Sequence, residues 1–175
     1  VQLSYTYVGK LTKSLRCTPQ HLDAHDIRCL FRDGFFDYAF MFVRNPYARM
    51  ESEYRYLCAE KMVKKRVLDF GRAPEFSKWV IKSMKDVRRD PWVYDNHLRA
   101  QWEFAYPGAD CFKLEDGLAN GLAIVAARIG APPPKEAPLL NRTAGLDIAT
   151  IWSDEARELV AKRYARDFKE FGYAP

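Results

Sequence analysis

Apolar and polar residues alternate over residues 3–8 (LSYTYV), which predicts a short strand, and the polar stretch after it predicts a loop. Over residues 21–31 the apolar side chains of Leu22, Ile27, Leu30 and Phe31 recur at roughly helical spacing, so a short helix is expected there. After the Asp33-Gly34 turn, FFDYAFMFV (35–43) is an almost unbroken aromatic and apolar run, the pattern of a strand covered on both faces. That strand should stop at Arg44-Asn45-Pro46, where Asn45 can cap a helix and Pro46 can open it. On this helix Tyr47, Met50, Tyr54 and Leu57 would form the apolar face, leaving Arg49, Ser52 and Tyr56 on a more polar one. Strand, tight turn and helix make half of a βαβ unit, whose ligands sit beyond the carboxyl ends of the strands.

Farther along, residues 74–85 (PEFSKWVIKSMK) predict an amphipathic helix, and 94–104 (YDNHLRAQWEF) form a polar-aromatic segment before a turn. DCFKLEDGL predicts a second buried strand ending at Glu115, followed by a helix over 118–130 that Gly130 closes. A proline-rich connector (131–138) and a loop (139–152) lead to one long final helix over 153–173, opened by Ser153 with acids in its first turn.

The 175 residues, 48% of them hydrophobic, suffice for one sizeable core, so a single domain over 1–175 is expected. The formal charge of +5, from 28 basic and 23 acidic residues, suits an anionic ligand. The basic residues are spread among the acids and carry no recognised motif, which weighs against a nucleic-acid partner. Cys17, Cys29, Cys58 and Cys111 form no CxxC pair and no zinc-type spacing with histidine, so buried thiols and no metal are expected. No stretch approaches ~18 consecutive apolar residues, so no membrane segment is expected in this chain. Few cysteines and no leader-like stretch favour a bacterial cytoplasmic setting; in a secretory host the alternative is the Golgi lumen, where the sequon Asn141-Arg142-Thr143 would matter.

The chemistry concentrates in AFMFVRNPYARMESEY, which sets Arg44 at a strand end and Ser52 on the following helix. A guanidinium can grip a phosphate through two charge-assisted bonds, a hydroxyl adds a donor, and a helix start favours negative charge. The alternative is a surface arginine and a helix serine of no consequence. This segment is similar to the 3′-phosphate-binding segment of the carbohydrate sulfotransferases, the membrane-associated enzymes and their bacterial relatives. In that family a strand leads into an R-x-P-x-x-R-x-x-S-x-Y pattern, and Arg44 and Ser52 match its two phosphate ligands. Weaker matches follow in the family's order. QHLDAHDIRCLF resembles a histidine-bearing segment, and DNHLRAQ resembles an H-x-x-P-Q element with Ala100 where proline is usual. FKLEDGL, LLNRT and YARDFKEFGY resemble its glutamate strand, late loop and closing helix.

The resemblance implies a P-loop-containing, nucleotide-kinase-like α/β fold, with a parallel sheet flanked by helices. It implies 3′-phosphoadenosine-5′-phosphosulfate as co-substrate without a metal, and a hydroxyl acceptor, a glycan or small molecule. It also implies that Asn141 and Arg142 fold over the nucleotide. The family's opening strand and its P-K-T-G-x-T-S loop have only the glycine-poor GKLTKS (9–14) as a counterpart here, so that loop is expected to be degenerate, absent or upstream of Val1. Sulfuryl transfer needs a base of near-neutral pKa for the acceptor hydroxyl. His21 is the first candidate, at the position where some uronyl sulfotransferases carry theirs, and His97 is the second; Glu115 could be an acid or could anchor a helix start. The alternative function is a catalytically inactive nucleotide-binding module of the same fold.

Overall fold

The computed structural model describes residues 16–63, 75–135 and 148–175, with backbone alone for 60–63. In chain order the elements are α1 (Ala24–Leu30), β1 (Phe40–Val43), α2 (Pro46–Val63), α3 (Phe76–Arg89), β2 (Asp110–Lys113), α4 (Leu118–Arg128), α5 (Asp154–Arg163) and α6 (Ala165–Glu170). Short 3-10 turns lie at Pro19–His21, Val93–Asn96, Gln101–Phe104 and Leu114–Asp116. The architecture is mixed α/β and rich in helix. Its described sheet has two parallel strands, Phe40 opposite Asp110 and Val43 opposite Lys113, and the crossover between them carries α2 and α3.

The expected strand, turn and helix are present: β1 ends at Val43, the Asn45 side chain accepts from the Tyr47 N–H at 2.9 Å, and Pro46 opens α2. Met50 and Tyr54 are buried, as the apolar face required. Gly130 ends α4 with φ +68, and Ala131 N–H returns to the Ala126 carbonyl at 2.9 Å, as in a Schellman closure.

Three expected elements are corrected, and so is the expectation of buried thiols: Cys17 and Cys58 are buried, but Cys29 and Cys111 are exposed. The parallel sheet that the resemblance implies is represented in part, by two strands among the described residues, and the expected strand at 3–8 lies outside them. The aromatic run 35–43 is strand only from Phe40. Phe35 and Phe36 instead stack with Phe31 at centroid distances of 4.7 and 5.0 Å, so their rings find partners locally and not across a sheet. The first helix starts at Ala24, because Asp23 caps it by accepting from the Asp26 N–H, while 19–21 form a proline-led 3-10 turn. The final helix is two helices, broken at Tyr164 (φ −107, ψ 23), whose buried hydroxyl donates to the Leu98 carbonyl at 2.7 Å.

The core gathers Met50 and Tyr54 of α2, Trp79, Val80 and Met84 of α3, Val160 and Phe168 of the last two helices, and Leu98 and Ala100 from the segment before β2. Each large side chain removed from water in this way contributes about 1.5–3 kcal/mol. On the sheet, Gly121 lets α4 approach closely: a Cβ there would sit 2.5 Å from Phe42 Cε1.

Candidate functional site

The segment that delivers His97 is irregular yet densely tied. Tyr94, Asp95 and Asn96 all take left-handed backbone, with φ of 58, 53 and 68. Asp and Asn tolerate this conformation better than most residues, but for Tyr94, and for three residues in a row, it is costly, so the surrounding bonds must hold it. They do so from several elements. The Arg49 guanidinium on α2 donates to the His97 and Arg99 carbonyls at 2.6 and 2.7 Å. Buried Asp167 on α6 accepts from the Gln101 and Trp102 N–H groups at 2.8 and 2.9 Å. Arg99 donates to Asp23 at 2.9 Å in a buried ion pair, and Asn96 Nδ2 donates to the His21 carbonyl at 2.7 Å. The last two bonds bring the 18–23 stretch against 95–99.

This brings the two candidate histidines together. Their rings meet edge to face, with centroids 4.3 Å apart and planes at 81°. Each ring is held by a carboxylate at Nδ1: His21 by Asp95 at 2.9 Å, His97 by Glu53 of α2 at 3.1 and 3.2 Å. A carboxylate on Nδ1 takes the N–H and leaves the Nε2 lone pair free, which is how a general base is oriented. Asp95 also accepts from the Thr18 N–H at 2.6 Å and the Thr18 hydroxyl at 2.8 Å. Burial works against its charge, yet these bonds and His21 hold the Asp95 carboxyl below the ordinary range. The Glu53 hydrogen bond holds His97 above the ordinary histidine value, against burial and Arg49. Both rings protonated at this separation would repel by about 4 kcal/mol at an effective dielectric constant of about 20.

Arg44 stands at the carboxyl end of β1, half-buried, and its main chain is clamped on both sides by Gln101. The Arg44 N–H donates to Gln101 Oε1, and Gln101 Nε2 donates to the Arg44 carbonyl, each at 2.8 Å. Among the described residues no carboxylate lies within ion-pair distance of its guanidinium. Ser52 is half-buried on α2, one turn beyond Arg49 and beside Glu53, on the shoulder of the flank that reaches the histidines. Glu115 takes the anchoring role: it accepts from the Asn45 N–H ahead of α2 and from the Tyr173 hydroxyl, both at 2.8 Å. Burial opposes its charge, but those bonds hold it below the usual glutamate value. Asn141 and Arg142 lie outside the described residues.

Sequence reasoning missed Asp95, Glu53 and Thr18. The signal for Asp95 is the D-N-H spacing itself. Glu53 follows Arg49 by one helical turn, so the two share a flank, but nothing in the chain indicates which segment that flank meets. His21, Asp95 and His97 have metal-ligand side chains with donor atoms within 4.8 Å of one another. His21 Nδ1 and Asp95 Oδ2 bond each other and His97 Nδ1 bonds Glu53, so hydrogen bonds hold the trio together. A pocket of about 250 Å³ lined by Ile27, Phe36, Phe40 and Tyr106 lies at the amino end of β1, away from Arg44. Comparison with protein-family models, curated proteins and solved structures gave no match.

Proposed function

We propose that this chain is the core of a sulfotransferase that moves a sulfuryl group from 3′-phosphoadenosine-5′-phosphosulfate to a hydroxyl acceptor, of carbohydrate or small-molecule type. The reading rests first on the resemblance around Arg44 and Ser52. The observation that carries it further is that the proposed phosphate ligand and both proposed bases are fixed to one short segment. Gln101 clamps Arg44, and His97 lies four residues earlier, packed on His21. Four residues span at most about 14 Å, a reach compatible with a nucleotide bound at Arg44 and an acceptor at the histidines.

In this reading Arg44 and Ser52 hold the 3′-phosphate, by a bidentate guanidinium contact and a hydroxyl donor. His21, oriented by Asp95, takes the acceptor proton while the acceptor oxygen attacks sulfur in line and the bond to the nucleotide phosphate breaks. Stabilising charge on the leaving phosphate would fall to the phosphosulfate loop that the resemblance implies, and no metal is required for that role. The resemblance gives Asn141 and Arg142, which lie outside the described residues, the role of completing the nucleotide site.

The test is consumption of radiolabelled phosphosulfate by the full-length protein across a panel of hydroxyl acceptors, in EDTA. Turnover that survives the chelator and falls about 100-fold or more in His21→Ala is expected. No turnover with any acceptor, alongside retained nucleotide binding, would replace this reading with the inactive nucleotide-binding module.

A further inference from the structure

The two histidines are built alike but are not equivalent. Among the described residues the Glu53 carboxylate receives hydrogen bonds from His97 alone, through both of its oxygens. Asp95 divides its charge among the Thr18 N–H, the Thr18 hydroxyl and His21. The Thr18 oxygen also lies 2.9 Å from His21 Nδ1, so either neighbour can take the Nδ1 hydrogen of a neutral His21 ring. The other groups around the pair are the Arg49 guanidinium, held on the His97 carbonyl, the Cys17 thiol, donating to the His21 carbonyl, the buried Asp23 with its Arg99 partner, Asp26 and the Tyr56 ring. Arg49 opposes a charge on His97 and Asp95 favours one, so Glu53 decides.

We propose that Glu53 and Asp95 are positioning residues that divide one proton between the two imidazoles, keeping it on His97 and leaving His21 as the free base. The catalytic meaning rests on the sulfuryl transfer proposed above; the proton arrangement does not. As the acceptor oxygen bonds to sulfur, its hydrogen passes to His21 Nε2, and the electron pair of the broken S–O bond leaves on the nucleotide phosphate. Two imidazolium rings then face each other at 4.3 Å, and their repulsion expels one proton to solvent and resets the pair.

The experiment follows the three histidines of the full chain by nuclear magnetic resonance across a pH titration, with assignments from single substitutions. His97 should titrate at the higher pH. His97→Asn should move the His21 midpoint to higher pH, because the neighbouring charge is gone. Glu53→Gln should lower the His97 midpoint, and Glu53→Asp should restore it in part. In turnover, Glu53→Gln should move the acidic limb of kcat/KM to higher pH and leave affinity for adenosine 3′,5′-bisphosphate unchanged. An unmoved His21 midpoint in His97→Asn, or an unmoved His97 midpoint in Glu53→Gln, overturns the proposal. The expected midpoints without binding of that nucleotide would overturn the sulfotransferase reading and leave the shared proton standing.

Discussion

Asp23 is the residue whose removal should do most to separate the two histidine segments. It is 5% exposed, it caps α1 by accepting from the Asp26 N–H at 2.9 Å, and it pairs with Arg99, itself 7% exposed, at 2.9 Å. Losing one partner of a buried pair costs about 3–5 kcal/mol and losing a cap about 1 kcal/mol. Arg99 keeps the Glu103 carboxylate at 3.2 Å and the Trp92 face at 4.5 Å, which offsets part of the stranded charge. Asp23→Ala should therefore destabilise by about 3–4 kcal/mol. With a urea slope of about 1–3 kcal/mol per molar, the unfolding midpoint should fall by about 1–4 M. Asp23→Asn keeps an oxygen for the cap and should recover about 1 kcal/mol. Urea titration followed by tryptophan fluorescence measures both. A loss in Asp23→Ala of less than about 1 kcal/mol would refute the argument that this pair anchors the 18–23 stretch to the site.

Tyr164→Phe should cost about 1–3 kcal/mol, since it strands the buried Leu98 carbonyl, and a change under about 0.5 kcal/mol in thermal or urea unfolding would contradict that. Stability should also depend on pH through His97. Its folded value lies above the ordinary 6.5, so its contribution is full below 6.5 and is lost as pH rises through the folded value. Glu53→Gln should accordingly lose more stability relative to wild type at pH 6 than at pH 9, and a gap independent of pH would count against the pairing.

The elements around Arg44 could be read from the chain because their signals are local: an apolar strand, an Asn-Pro helix start and a helical apolar stripe all act within a few residues. The strand is shorter than its apolar run because the rings of Phe31, Phe35 and Phe36 cluster with one another and with Tyr106, and periodicity does not distinguish such a cluster from a sheet. The break at Tyr164 is not legible in the chain for a related reason: the partner of its buried hydroxyl, the Leu98 carbonyl, lies 66 residues away. At the site, His21 and His97 could be picked out by residue type, but their contact depends on Asn96 and Arg99 holding the 21–23 stretch, and on left-handed backbone at 94–96 that no glycine announces. Nothing in the chain pairs Glu53 with His97; that pairing follows from Arg49, on the same helix, reaching the His97 carbonyl.

Calorimetric titration of the protein with adenosine 3′,5′-bisphosphate and with 5′-AMP tests the proposed nucleotide 3′-phosphate site at the carboxyl end of β1. Clear preference for the bisphosphate is expected, with Arg44→Ala losing about 2–5 kcal/mol of binding as a desolvated phosphate loses its partner. Ser52→Ala should lose less, about 0.5–1.5 kcal/mol, as befits a single neutral hydrogen bond. Equal affinity for the two nucleotides, or an Arg44→Ala variant that binds the bisphosphate as wild type does, would contradict it.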